Sequence, residues 1–199
     1  MITRKEMTRM LLKEGLLSCL ANNSYESVTV TSLCKASGIT RSTFYLHYSN
    51  IMEIVDDLVD DAISYSRPGM VDNNNLQIIA KALSAASNSI SLREAYDSIF
   101  DRLPLCQRII RHKKYLPLFL DEQISEYVLQ RIIGREKDRQ GLVIAESLGV
   151  SFDVGVSVFV FLVHGLYAVN KQYKWSQSDE WLEAQKIIFE LVYRGLQSR

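Results

Sequence analysis

The stretch Thr29-Val-Thr-Ser-Leu-Cys-Lys-Ala-Ser-Gly-Ile-Thr-Arg-Ser-Thr-Phe-Tyr-Leu-His-Tyr48 decides the fold. Thr29 can cap the free backbone N–H groups at the start of a helix over 30–37, and Gly38 ends it by taking the positive φ of a tight turn. Leu33 and Ala36 are expected on one side of that helix, with Ile39 plugging the angle to a third helix over 41–46 that Thr40 caps. Two short helices joined in this way form a helix-turn-helix. The second of them presents Arg41, Ser42, Thr43 and Tyr45, a guanidinium, two small hydroxyls and a phenol that can bond phosphates or base edges inside a major groove. Phe44 and Tyr48 are expected to point inward. Arg41 is the expected base reader, since a bidentate contact to guanine supplies about 1–3 kcal/mol of discrimination.

Upstream, Met7, Met10, Leu11, Leu17 and Leu20 recur at helical spacing and predict a first helix ending near Asn22-Asn23. Downstream, Ser49 or Asn50 can cap a fourth helix whose stripe is Ile51, Ile54, Val55, Leu58 and Val59. Residues 67–75 combine a proline, a glycine and three asparagines, the clearest break in the chain. The domain junction belongs there, with a DNA-binding domain over 1–66 and a helical effector-binding and dimerisation domain over 67–199. Further helices are predicted over 76–89, 92–103, 118–133, 152–173 and 178–196, with Pro104 and Pro117 as interruptions. Trp181, Ala184, Ile188, Leu191 and Gly195 form the stripe of the last one, which could pair with its predecessor as a hairpin. Glycine and proline number only nine and three, and strand-like alternation is missing, so the expected fold is all-α.

Charge is balanced, 23 basic against 23 acidic residues, so any DNA binding must be local rather than a bulk polycation effect. Residues 1–50 hold six Lys or Arg against three acids, a net +3, whereas Glu53, Asp56, Asp57, Asp60 and Asp61 follow with no base between 51 and 61. That acidic run would bound the positive end and orient the chain on a polyanion. Cys19, Cys34 and Cys106 lack metal-ligand spacing, which points to a reducing cytoplasm without a zinc site or disulfide framework. The start MITRKEMTR has no apolar stretch after its basic residues, unlike a secretory leader. The most apolar run, 154–169, falls short of the roughly 20 residues of a bilayer span and reads as a buried soluble helix, so no membrane partner is expected.

The segment Gly38-Ile-Thr-Arg-Ser-Thr-Phe-Tyr-Leu-His-Tyr48 resembles the DNA-binding domain of the TetR family of bacterial regulators, a likeness that covers about residues 5–60. The resemblance implies that Thr29 and Thr40 cap their helices while touching phosphate, that Tyr45 and His47 bond the DNA backbone, and that Arg41, Ser42 and Thr43 line the groove. It implies a double-stranded operator, a homodimer paired through the last two long helices with recognition helices about one DNA turn apart, and an unidentified small-molecule effector. The family commonly has a phosphate-reaching Lys in the first turn of the fourth helix, where this chain has Ile51, so affinity would rest more on Arg4, Lys5 and the helix N-termini.

Other features are weighed against ordinary packing. His164, on an apolar helix, is more often a core or interface histidine than a ligand. The basic cluster over 108–114, with His112 inside it, could attract an anionic effector but is more often a solvated face. Cys34 and Cys19 read as small apolar residues, leaving Cys106 as the plausible redox thiol. Tyr96, Phe100, Tyr115, Phe119, Tyr127 and Trp175 could line an effector cavity or form core. Glycine-rich phosphate loops, paired histidine ligands and a nucleophile elbow are missing, so a non-enzymatic regulator without cofactor or metal is expected. The competing reading is a DNA-binding module without a ligand, controlled by a protein partner or by Cys106 oxidation.

Overall fold

Thr3 caps the first helix of the computed structural model, its hydroxyl accepting from the Glu6 N–H while the Glu6 carboxylate accepts from the Thr3 N–H at 2.7 Å. This capping box satisfies the donors left free at a helix start and launches α1 (Arg4–Asn22). The described residues are 3–66, 75–85, 91–104, 106–108 and 113–197. They form helices and turns throughout, so the fold is all-α. Contacts divide the chain into two compact units, Met1–Tyr65 with His112–Ile132 and Ser66–Arg111 with Ile133–Arg199. The predicted break over 67–74 lies outside the described residues.

In the first unit, α1 packs on α2 (Val30–Ser37) and on α7 (Leu116–Leu120), and α2 packs on α3 (Arg41–Tyr45). The buried face of α1 is Leu12, Gly15, Leu16, Leu17 and Leu20, whereas Met7, Met10 and Leu11 are about 40% exposed. The expected stripe therefore holds at Leu17 and Leu20 and fails at Met7, Met10 and Leu11, since the paired leucines 11–12 and 16–17 leave its phase open. Ala36 is likewise exposed, and Leu33 with Cys34 forms the inward face of α2. In α4 (Ile51–Ser66) the core residues are Ile54, Val55, Leu58, Val59, Ala62 and Ile63. The helix expected over 118–133 is two helices: α7 ends at Leu120, and α8 (Ser125–Leu148) begins after a turn and runs fifteen residues further than expected. Asp121 makes the break, because its carboxylate accepts from the backbone N–H groups of Gln123, Ile124 and, at 2.6 Å, Tyr25.

In the second unit, α5 (Asn75–Ala85), α6 (Leu92–Ser98) and α10 (Asp179–Gln197) pack together. Trp181, Leu182, Gln185 and Phe189 are the buried side of α10, so Leu191, expected in the core stripe, is 66% exposed. Helix α9 (Phe152–Gln172) crosses α8 at two glycines. A Cβ on Gly155 would stand 2.2 Å from the Gly141 carbonyl oxygen and 2.8 Å from Ala145 Cβ. No flexible side chain can yield there. Gly155→Ala is expected to lower stability by about 1–3 kcal/mol, a Tm fall of about 2–10 °C in thermal unfolding; an unchanged Tm would mean that the helices do not approach so closely.

Helix α9 corrects a second expectation. It is 21 residues long and apolar enough to cross a membrane by length and composition, and only 22% of its most apolar window is buried. It is thus not the buried helix its composition suggested. Phe152, Val154 and Phe161 stand out from it, Phe161 at 73% exposure.

Candidate DNA-binding face

The turn between α2 and α3 is built by three residues. Thr29 accepts from the Ser32 N–H and Ser32 Oγ accepts from the Thr29 N–H at 2.9 Å, a reciprocal cap that fixes where α2 starts. Gly38 ends it at φ 67°, a backbone region that a side chain disfavours, and its N–H bonds the Cys34 carbonyl. Thr40 then caps α3 by accepting from the Thr43 N–H at 3.2 Å. Its hydroxyl also lies 3.0 Å from Ser42 Oγ and 2.8 Å from Thr43 Oγ1. These contacts hold the three hydroxyls in one cluster.

Helix α3 is short, and what lies behind it keeps it in place. Phe44 is fully buried and Tyr48 is 3% exposed, one turn apart on the inner side. Tyr48 donates to Asp57 Oδ2 of α4 at 2.6 Å, and Arg9 of α1 donates to the same oxygen while its guanidinium lies 4.8 Å from the centre of the Tyr48 ring. Burial, with the carboxylate beside it, pushes the Tyr48 hydroxyl above its usual range, so it stays a donor at any physiological pH. Arg9 is held above its ordinary value by the hydrogen bond to Asp57. Helices α1 and α4 and the segment that follows α3 therefore meet at one carboxylate.

On the outer side Arg41, Ser42, Tyr45 and Leu46 are exposed, Thr43 and His47 half-buried. Thr29 and Thr40 are exposed at the two helix starts that border this face. The residues expected from the sequence thus all lie in the first unit, and none of them is buried. His47 turns one ring nitrogen, Nδ1, inward, where it has no partner among the described residues. Arg4 and Lys5 are exposed in the first turn of α1, while Ile51 is half-buried.

Sequence reasoning missed two features. Leu46 is 81% exposed, beyond any other large apolar side chain among the described residues. The acidic run of α4 is also no free border: Asp57 pairs with Arg9, Asp61 with Lys13, and Asp56 with Arg131 at 2.7 Å and with the Tyr127 hydroxyl at 2.6 Å. Those carboxylates tie α4 to α1 and to the start of α8. Their partners lie 48 or more residues away in sequence, and no local pattern announces them.

The remaining candidates are dispersed. Arg108 is buried with its guanidinium 5.9 Å from the Phe100 ring and Lys114 pairs with Glu14 at 2.7 Å, whereas Arg111 and His112 of the basic cluster lie outside the described residues. Tyr115, Phe119 and Tyr127 belong to the first unit and cannot line a cavity inside the second. Tyr96 is core: it donates to Gln107 at 2.8 Å and its ring meets Trp181 edge-on at 5.2 Å. Gln107, Asn170 and Gln185 are fully buried in the second unit. Gln107 donates to Gln185 at 2.7 Å, Trp181 donates to Asn170 at 3.0 Å, and Gln185 Nε2 finds no acceptor among the described residues. Burial pushes the Cys106 thiol up to about 12, the opposite of the lowered value that makes a thiol redox-reactive at neutral pH. His164 is half-buried on α9. A cleft of about 610 Å³ lies in the first unit between the end of α1 and residues 113–123. Asp121, its acidic lining residue nearest α7, already spends both carboxylate oxygens on backbone N–H groups.

No protein-family model matches the chain, and a search of curated proteins finds no match. Among solved structures, the TetR family repressor AlkX from Dietzia sp. strain DQ12-45-1b, described as implicated in biodegradation of n-alkanes, is similar over 96% of this chain and 95% of that one. The TM-score is 0.42 and the identity 15%. A likeness this distant leaves function to be argued from the chain's own residues.

Proposed function

We propose that this chain is a DNA-binding transcriptional regulator of the bacterial cytoplasm, a homodimeric repressor that a small-molecule effector releases from its operator. One observation carries the DNA-binding part. A capped helix, fixed from behind by Phe44 and Tyr48, turns Arg41, Ser42 and Tyr45 outward on an end of the unit whose hydroxyls and backbone donors suit phosphate. Helix α3 would enter the major groove with Arg41 reading a base edge and Thr43 beside it. Thr29, Thr40, Tyr45 and His47 would fix the register on the DNA backbone.

Dimerisation through α9 and α10 is supported by their uncovered apolar side chains, Phe161 and Val154 on the first, Ile187 and Leu191 on the second. A second copy would cover them by a twofold contact of the same patch with itself. For the effector, the second unit offers the buried amides Gln107, Asn170 and Gln185, polar anchors in an apolar interior of the kind that orient a small ligand. Release would follow from an effector that binds better to a dimer whose recognition helices no longer match the half-site spacing.

The test is fluorescence anisotropy of purified protein on labelled DNA flanking its own gene. Saturable binding is expected, weakened about tenfold or more by Arg41→Ala. Affinity should also fall by orders of magnitude between about 50 and 200 mM salt, because each phosphate contact releases counterions. A folded dimer that binds this DNA no better than random DNA, or equally well at both salt concentrations, would overturn the reading.

A further inference from the structure

We propose that Leu46 is a specificity residue that reads thymine through its 5-methyl group in the major groove. This rests on the DNA-binding reading above and adds a base preference to it. Leu46 follows α3 directly and continues its helical path at φ −74° and ψ −19°. It therefore lies one turn beyond Ser42 and beside Tyr45, on the outward side. The inward side of the same turns belongs to Phe44 and Tyr48.

Exposure is what singles it out. At 81% the Leu46 side chain contributes nothing to the core, and it exceeds even Phe161 at 73%. Phe161 shares its unit with other uncovered apolar side chains that a second copy would bury. Leu46 instead stands among groups suited to DNA: the Arg41 guanidinium, the Tyr45 phenol at 53% exposure, and the hydroxyl cluster of Thr40, Ser42 and Thr43. An apolar tip in that company needs an apolar mate within a polar groove. In the major groove thymine alone of the four bases presents a methyl group, so a leucine there discriminates by burial rather than by hydrogen bonding. Arg41, one helical turn and a residue earlier, would read a neighbouring base, which gives α3 one polar and one apolar reader.

The experiment uses the full chain, wild type and Leu46→Ala, with the DNA flanking its gene made in two forms, one with thymine and one with deoxyuridine throughout. Wild type is expected to prefer the thymine form about threefold to tenfold, the scale of burying one or two methyl groups. Leu46→Ala should bind both forms within about 1.5-fold of each other, with an unchanged unfolding midpoint because the exposed side chain holds nothing in place. Equal binding of the two forms by wild type, or a thymine preference that survives in Leu46→Ala, overturns the assignment while leaving DNA binding intact. No saturable binding to either form by wild type overturns the DNA-binding reading, and this assignment with it.

Discussion

Replacing Phe161 and Leu191 together by glutamate is expected to turn the proposed dimer into monomers and to abolish the proposed operator binding. Both side chains are largely exposed in the single chain, 73% and 66%, so the charges cost the folded monomer little. In a twofold contact each substitution occurs twice, which places four carboxylates in one interface. Burying an unpaired charge costs several kcal/mol, so the dimer dissociation constant should rise about a thousandfold or more. Loss of operator binding follows from geometry. One recognition helix makes too few contacts to hold DNA at physiological salt, and it is the link between two half-sites that makes the second contact intramolecular. Light scattering on a sizing column measures the mass, and anisotropy on the operator measures binding. Leu120→Glu, a similarly exposed apolar position at 51% in the other unit, serves as control and should remain dimeric. A wild-type chain that is monomeric at micromolar concentration and partitions onto lipid vesicles would show instead that the apolar face of α9 meets a membrane.

The sequence was most legible where single residues punctuate the chain. The bounds of α2 follow from Thr29 and Gly38, because a capping hydroxyl and a positive-φ glycine are local requirements that the surroundings rarely override. The outward set Arg41, Ser42 and Tyr45 follows from the inward pair Phe44 and Tyr48, since the helical period leaves no other arrangement. Legibility ends where the deciding partner is remote. Asp121 breaks a helix although neither glycine nor proline is present, and one of its three bonds is to Tyr25, 96 residues away. The polar stretch 134–140 shows no apolar stripe, yet α8 runs through it and buries Glu136 and Gln140. The dominance of apolar residues in α9 was plain, but composition does not say what covers them, and within one chain little does. Leu46 was passed over for the converse reason: an isolated leucine between tyrosine and histidine reads as filler until its exposure is measured.

Asp57→Ala is expected to lower stability by about 1–3 kcal/mol and to weaken operator binding by at least tenfold, though Asp57 need not touch DNA. The carboxylate receives the Tyr48 hydroxyl at 2.6 Å and the Arg9 guanidinium, and both lose their acceptor together. Arg9 is about one-third exposed, so water can take over part of its hydration, which sets the lower end of the range. Tyr48 is 3% exposed, and its hydroxyl would be left facing the interior without that acceptor, which sets the upper end. Tyr48 follows α3 by three residues and packs against Phe44, so a loosened ring lets the recognition helix tilt in place. A displacement of a fraction of an ångström there would misalign Arg41 with the base edge it is proposed to read, because hydrogen-bond energy falls steeply with angle. Tyr48→Phe should cost less, about 0.5–1.5 kcal/mol, because it keeps the ring and the Arg9 pair. If the three residues act as one clamp, the loss in Asp57→Ala combined with Tyr48→Phe will fall short of the sum of the singles by more than about 0.5 kcal/mol. Urea midpoints at unchanged m-value supply the energies, and operator affinity at one salt concentration supplies the functional reading. Additive losses would mean that Tyr48 and Asp57 stabilise the unit independently; stability lost with affinity intact would mean that α3 keeps its aim without them.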